Sequence, residues 1–288
     1  MIIIKSSSGL GNQIFQYAIG LSLSENLNTK CLFDVSHYKR NNHRNFRLQY
    51  FNIKLNYISI WKTNFYHSEI VKLFDKIFST NNYHHLIIDP IWEKVNFDEG
   101  KNYILRGYWP HNDYFELYKS RIINEIVVKS QFSTLNHQKL LLEIQQKESV
   151  SIHIRRGDYN NKEISKLFGL LPKEYYKNAI NLVLARVIKP LFFIFSDDIK
   201  WVKDNINLPK SSIFVSQIIE GVDYLEFDLM RSCKHNIIAN STFSWWAAFL
   251  NIHTNKIVIQ PKKWYNAEYA QEVYDSQKIL FIKGSIRL

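Results

Sequence analysis

The stretch SVSIHIRRGDYNN, residues 149–161, sets two arginines and an aspartate where a short apolar strand stops. Strand alternation puts Val150, Ile152 and Ile154 on one face and Ser151, His153 and Arg155 on the other. His153 and Arg155 then point the same way, and Arg156, Gly157 and Asp158 fall in the loop beyond. Downstream the pattern is regular. Strands are expected at VSIHI (150–154), LFFIF (191–195), SIFVS (212–216), HNIIAN (235–240) and KIVIQ (256–260). They alternate with helical segments PKEYYKNAINLVLARV (172–187), DIKWVKDNI (198–206), DYLEFDLMRSC (223–233) and SWWAAFLN (244–251). Strands alternating with helices imply an α/β fold, here a parallel sheet with helices on its faces and a nucleotide-binding half of Rossmann type.

Toward the amino terminus, residues 2–4 (III) read as a buried strand, and apolar residues at helical spacing follow a GLGN turn in IFQYAIGLSLSENL (14–27). A second strand is expected at CLFDV (31–35) and another at YILRGYW (103–109), followed by a helix through YFELYKSRIINEIV (114–127). Residues 36–100 read as irregular, basic and Asn-rich at KRNNHRNFR (39–47), with apolar patches suited to short helices. The polar run from Lys129 to Ser149, interrupted by a helix at LNHQKLLLEIQQ (135–146), is the expected domain junction, giving domains 1–148 and 149–288.

A chain of 288 residues that is 46% hydrophobic can bury a full core. Its net charge of +11 favours anionic partners: nucleic acid, acidic phospholipid or a phosphorylated small molecule. Aromatics make up 15% of the chain, and their faces suit sugars and bases alike. Cys31 and Cys233 are far apart and belong to no Cys/His cluster, which argues against a disulfide framework or zinc site and for a reducing cytoplasm. The chain contains no run of 18 apolar residues, so no segment is expected to span a bilayer.

Ligands of such folds lie outside the carboxyl ends of the strands. Arg155 and Arg156 there match phosphate oxygens and keep their charge at any working pH. The alternative is an Arg156–Asp158 ion pair that staples the loop. FSDD delivers Asp197 and Asp198 to the same rim, where a carboxylate accepts from ribose hydroxyls or a guanine edge, or else caps the next helix. Asn240, Ser241, Thr242 and Phe243 lead from a strand into a helix whose amino terminus offers N–H groups and a positive dipole end to phosphate. Gly9 and Gly11 permit close backbone approach, but the third glycine of a dinucleotide fingerprint is missing, which counts against an oxidoreductase.

SGLGNQIFQYA (8–18), HIRRGDY (153–159), FSDDIKW (195–201) and DLMRSCKHNIIANSTFSWWAAFLN (228–251) together, in this order, resemble the motifs of the α-1,2-fucosyltransferases, glycosyltransferase family 11. One departure is Ser8, where that family usually has Gly. The resemblance implies a GT-B fold of two Rossmann-like halves facing a cleft. It implies a carboxyl-terminal half holding GDP-fucose, and inverting transfer of L-fucose to the 2-hydroxyl of a galactose-terminated oligosaccharide. No cofactor and no metal is implied, and the chain contains no Asp-x-Asp. In these terms Arg155 holds the diphosphate with Arg156, Ser241 and Thr242, His153 orients the nucleotide, and Asp197 or Asp198 meets its ribose or base. Gly11 and Asn12 lie on the opposing turn, with Asn12 reaching the donor. Asp158 ranks first as the base and Glu163, in the following loop, second.

A basic RNA-binding protein also accounts for the charge, but no RNP-like or helix-turn-helix pattern accompanies it. Within glycosyl transfer, another nucleotide sugar or linkage stays open, because one hydroxyl in a pocket leaves no sequence mark. The resemblance sets the enzyme in the cytoplasm, building O-antigen or capsule. The loop Lys39–Arg47 is read as holding it against anionic lipid or a lipid-diphosphate-linked acceptor at the inner face of the membrane.

Overall fold

Ile2, Ile3 and Ile4 have no polar break between them, the pattern of a strand covered on both faces, and all three are buried. They form β1 (Ile2–Lys5) in a computed structural model that describes residues 1–40, 44–90, 94–157, 162–277 and 280–288, with the backbone alone described at 40, 162–164, 276 and 277. β1 pairs in parallel with β2 (Cys31–Asp34). β3 (His84–Ile88) pairs with β4 (Asn102–Arg106), which pairs with β1, giving a four-stranded parallel sheet in the order β2-β1-β4-β3. β3 lies inside the stretch expected to be irregular. It is a half-exposed edge strand whose register comes from β4, so it shows neither a clean alternation nor a solid apolar run.

The helix after β1 runs from Leu10 to Asn26. It begins earlier than expected, with Gly9 extended at its N-cap, so Gly11 and Asn12 stand in its first turn. The two glutamines of GNQIFQ are fully buried and tie the loop before it. Gln13 Nε2 donates to the carbonyls of Ser8 and Asn45, both at 2.9 Å, and its Oε1 accepts from Arg47 N at 2.7 Å. Gln16 Oε1 accepts from Ser7 N (3.1 Å) and Ser6 Oγ (3.0 Å), while Nε2 donates to Gly107 O (2.9 Å). Gly107 follows β4 at φ +136, and a Cβ there would stand 2.1 Å from that of Asp89, so only glycine fits. The helix expected over 114–127 is broken into single 3-10 turns at Asn112–Tyr114 and Glu116–Tyr118 and a short helix Lys119–Glu125.

The second sheet contains β5 (Glu148–Ile154), β6 (Pro190–Ser196), β7 (Ile213–Phe214), β8 (His235–Ile237), β9 (Val258–Gln260) and β10 (Ile286–Arg287). All pairings are parallel, in the order β10-β9-β8-β5-β6-β7. Numbered from β5, this is the doubly wound order 3-2-1-4-5-6, with its switch point between β5 and β8. SIFVS yields two strand residues and then turns into a helix, Val215–Ile218. Val150, Ile152 and Ile154 pack with Phe192, Ile194 and Tyr176 in the core of this sheet. A buried amide chain fixes β5 to β8 and to the residues after helix Thr242–Phe249. Asn236 Nδ2 donates to Ser151 Oγ (2.8 Å), and Asn251 Nδ2 donates to Asn236 Oδ1 (2.7 Å) and Cys233 O (2.8 Å).

The chain divides between Val127 and Val128. The junction therefore precedes the polar run instead of ending it at 148. Helix Leu135–Gln146 belongs to the second unit because Leu140 and Ile144 are buried and His137 Nε2 meets Asp228 Oδ2 at 3.2 Å, on helix Asp223–Ser232. Two units on parallel sheets are what the GT-B expectation requires.

Candidate active site

Seven consecutive pairs of residues align β5 with β6, ending at Ile154 opposite Ser196. That register sets the two arginines beside the two aspartates. Arg155 Nη1 lies 2.8 Å from Asp197 Oδ2, and Arg156 N donates to Asp197 Oδ1 at 2.9 Å. One carboxylate thus holds both the side chain of the first arginine and the backbone of the second. Gly157 lets them approach, since a Cβ there would stand 2.8 Å from Asp197 Oδ2. Arg156 lays its guanidinium 3.7 Å over the Trp201 ring and has Nε 3.7 Å from Asp198 Oδ2. Asp198 caps helix Ile199–Asn205, accepting from Trp201 N at 3.0 Å. Asp197 and Asp198 are thus acidic partners of the two arginines. Asp158, expected both as a base and as the partner of Arg156, lies outside the described residues, and Glu163 falls in helix Lys162–Leu167 with its side chain outside them.

His153 is buried, with its ring 5.6 Å from that of Phe243, which in turn packs edge-on against Phe227. Ser241 is the N-cap of helix Thr242–Phe249, yet its hydroxyl makes no capping bond. Thr242 and Phe243 form the first turn, half-buried at the carboxyl side of β8. Asn240 is turned into the protein. Its Nδ2 donates to the carbonyls of Phe168 (3.0 Å), Gly169 (3.3 Å) and Trp264 (3.1 Å), so this amide ties loops together where contact with substrate was expected. Gly11 and Asn12 belong to the first unit, at the carboxyl side of β1.

Glu226 was not among the expected site residues. Burial is the main cause that pushes its carboxyl up to about 7; neighbouring Asp223 and Asp197 add to the shift, and a hydrogen bond from Ser216 and the charge of Arg155 oppose it. A carboxyl that changes charge near neutrality and interacts with Arg155 contributes to the electrostatics of this rim. The visible signal was the pair Asp223 and Glu226 at the start of a helix, which reads equally as acids favoured by the helix dipole. A surface hollow lined by Met1, Ser24, Glu25, Asn28, Thr29 and Lys30 carries none of these groups.

Cationic forks, hydroxyls and a helix amino terminus at the switch point of a 3-2-1-4-5-6 sheet suit a diphosphate-linked ligand. The family model described as glycosyl transferase family 11 matches residues 1–282. The chain belongs to this family. An α-1,2-colitosyltransferase of Escherichia coli is 34% identical over 281 residues, covering 93% of each chain. The O-antigen biosynthesis glycosyltransferase WbnK of Escherichia coli is 32% identical, covering 90% of this chain and 93% of its own. Among solved structures, fucosyltransferase NodZ from Bradyrhizobium matches with TM-score 0.46 and 15% identity, over 85% of this chain and 91% of its own. Membership in family 11 sets aside the oxidoreductase and RNA-binding readings of the sequence.

Proposed function

We propose that this family 11 glycosyltransferase moves L-fucose from GDP-β-L-fucose to the 2-hydroxyl of a terminal β-galactoside, inverting the anomeric centre. The observation that carries the reading is Arg155, oriented by Asp197 at the carboxyl end of β5 in a chain matched by the family model almost from end to end. In a single displacement, negative charge grows on the departing GDP as the bond to the anomeric carbon breaks. Arg155 and Arg156 stabilise that charge in place of a metal, with the Ser241 and Thr242 hydroxyls and the amides of the helix behind them. His153 and one of Asp197 and Asp198 orient the nucleotide, and Gly11 and Asn12 are further candidates for donor contact. Asp158 takes the acceptor proton, with Glu163 as the second candidate. The setting is O-antigen or capsule assembly on a lipid-diphosphate-linked oligosaccharide at the cytoplasmic face of the membrane.

A second reading, a colitosyl donor with the same linkage, is favoured by the relative that is 34% identical over 281 residues. The test is transfer from each donor to lactose, lacto-N-biose, N-acetyllactosamine and galactosyl-β-1,3-GalNAc in EDTA, with linkage read by NMR. An α-1,2-fucosylated product formed in EDTA supports the proposal. Transfer from the colitosyl donor alone replaces it with the second reading. Failure of GDP-fucose to bind by calorimetry, with no fucosylated product, overturns the donor assignment.

A further inference from the structure

Residues 59–78, SIWKTNFYHSEIVKLFDKIF, form two successive helices in the first unit, Ile60–Tyr66 and Glu69–Phe78. Both are capped at their amino ends by serines: Ser59 accepts from Lys62 N and Ser68 from Val71 N. Ser79, in the left-handed region, closes the second helix. In that helix Ile70, Leu73, Phe74, Ile77 and Phe78 fall at i, i+3, i+4, i+7 and i+8, one continuous apolar stripe. A surface helix turns such a stripe to the core. This one turns it to solvent: Ile70 is 66% exposed, Phe74 54% and Ile77 61%, while Val71 alone of the helix's apolar residues is buried. The side facing the protein carries Asp75, whose carboxylate accepts from Asn82 N at 2.9 Å and from Tyr83 N. On the preceding helix Trp61 is 71% exposed and stacks on Phe65 at 5.8 Å.

We infer that these two helices are a membrane-docking face that lies in the headgroup region of a bilayer rich in anionic phospholipid. Exposed lysines 62, 72 and 76 flank the apolar side chains, and lysine next to tryptophan is the composition of interfacial helices. The two acids are otherwise engaged: Glu69 pairs with Lys72 at 3.3 Å and Asp75 is held by backbone amides. The charge also decides against a second copy of the chain as the occupant, because a self-complementary contact would bring these lysines together on molecules of net charge +11. Phe46, from the basic segment 39–47, meets Tyr57 edge-on at 6.1 Å, just before the first helix. A helix of ten residues is about half the length that crosses a bilayer, so it lies in the plane of the surface. The inference gives the membrane contact of the proposed function a surface, and its geometry is independent of the donor.

The experiment is co-sedimentation with vesicles of phosphatidylcholine alone and of equimolar phosphatidylglycerol and phosphatidylcholine. The expected result is binding to the anionic vesicles, reduced at least about tenfold in Leu73→Gln/Phe74→Gln/Ile77→Gln and weakened in Lys62→Gln/Lys76→Gln. Because the apolar triplet is exposed, circular dichroism and transfer to a soluble acceptor should stay at the wild-type level. Wild-type protein left in the supernatant with both vesicles overturns the inference, as does a triple variant that sediments like wild type. A wild-type dimer that the triple variant turns monomeric, without vesicle binding in either, overturns it in favour of a self-association surface. Vesicle binding that survives when no donor supports transfer counts against the proposed reaction and not against this face.

Discussion

The two sheets end differently. Beyond β1 and β4 the loops are held by the buried amides of Gln13 and Gln16 and by one buried carboxylate, Asp89, which accepts from the backbone N–H of Tyr108 (2.9 Å) and Trp109 (2.7 Å). Beyond β5 and β6 the loops are held by half-exposed charges, Arg155 and Arg156 against Asp197 and Asp198. Hydrogen bonds between buried amides and backbone groups fix a shape and respond little to salt or pH. An ion pair at a rim holds its shape only until a better-matched anion arrives, and phosphate is such an anion for arginine. The first arrangement makes a scaffold, and under the proposed function the second makes a site that exchanges partners.

The widest separation between the two should come from Arg155→Ala. Transfer is expected to fall at least about 100-fold, near 3 kcal/mol of transition-state stabilisation. The same change should alter the unfolding midpoint little, since half-exposed pairs contribute about 0–1 kcal/mol. Steady-state rates read beside a urea titration check both halves. An equal loss of activity and stability would make the rim a scaffold like its counterpart.

Gln16→Leu probes the other side. It keeps the bulk of the side chain but strands the N–H of Ser7 and the carbonyl of Gly107. A stability loss of about 1–2 kcal/mol is expected, the cost of leaving part-buried backbone groups unmatched. It should be the same at low and high ionic strength. Denaturant midpoints in the two salts measure it, and a salt-dependent loss would break the distinction drawn between the sheets.

What the sequence disclosed follows the same division. The apolar runs at 2–4 and 191–195 became strands because a buried parallel strand is written as uninterrupted hydrophobic residues, and 150–154 became one through the alternation of Val150, Ile152 and Ile154 with Ser151 and His153. The pair Arg155 and Arg156 was legible because charge at the end of such a run stands out. Its partners were not, since Asp197 is brought close only by the register of β5 on β6. β3 and β10 escaped notice because an edge strand of five residues and a closing strand of two carry too little pattern. Asn240 looked like a ligand-binding side chain because the carbonyls it serves, at Phe168, Gly169 and Trp264, come from loops distant in sequence. Residues 60–78 were read as short helices with apolar patches, and only burial shows which way those patches face.

Glu226 sharpens the comparison through pH. Its carboxyl, raised from 4.5 to about 7, prefers the protonated form in the folded protein. The stability it contributes is complete below 4.5 and declines as pH rises toward about 7, by about 3 kcal/mol in all. Glu226→Gln should flatten that decline, measured as unfolding midpoints between acid and mildly alkaline buffers. Ionised Glu226 also subtracts from the positive field at Arg155, so GDP should bind several-fold more weakly above the transition in wild type and evenly in the variant. A wild-type profile already flat across this range would remove Glu226 from the electrostatics of the rim.

The smallest effect tests whether the amide-held end is fully relaxed. Ser8 sits at φ 66, in the left-handed region that favours glycine. A side chain there costs about 1 kcal/mol, and glycine returns part of that through its greater freedom in the unfolded chain. The Ser8 carbonyl accepts from Gln13 Nε2 and from Tyr38 OH at 3.2 Å, bonds that do not depend on the side chain. Only the exposed contact of Ser8 Oγ with Tyr108 OH, at 3.0 Å, disappears in Ser8→Gly. The balance is a gain of about 0.5 kcal/mol, visible as a small rise in urea midpoint. A loss of similar size would mean that the hydroxyl pair outweighs the backbone strain, and that this end too is held in part by groups a bound sugar can replace.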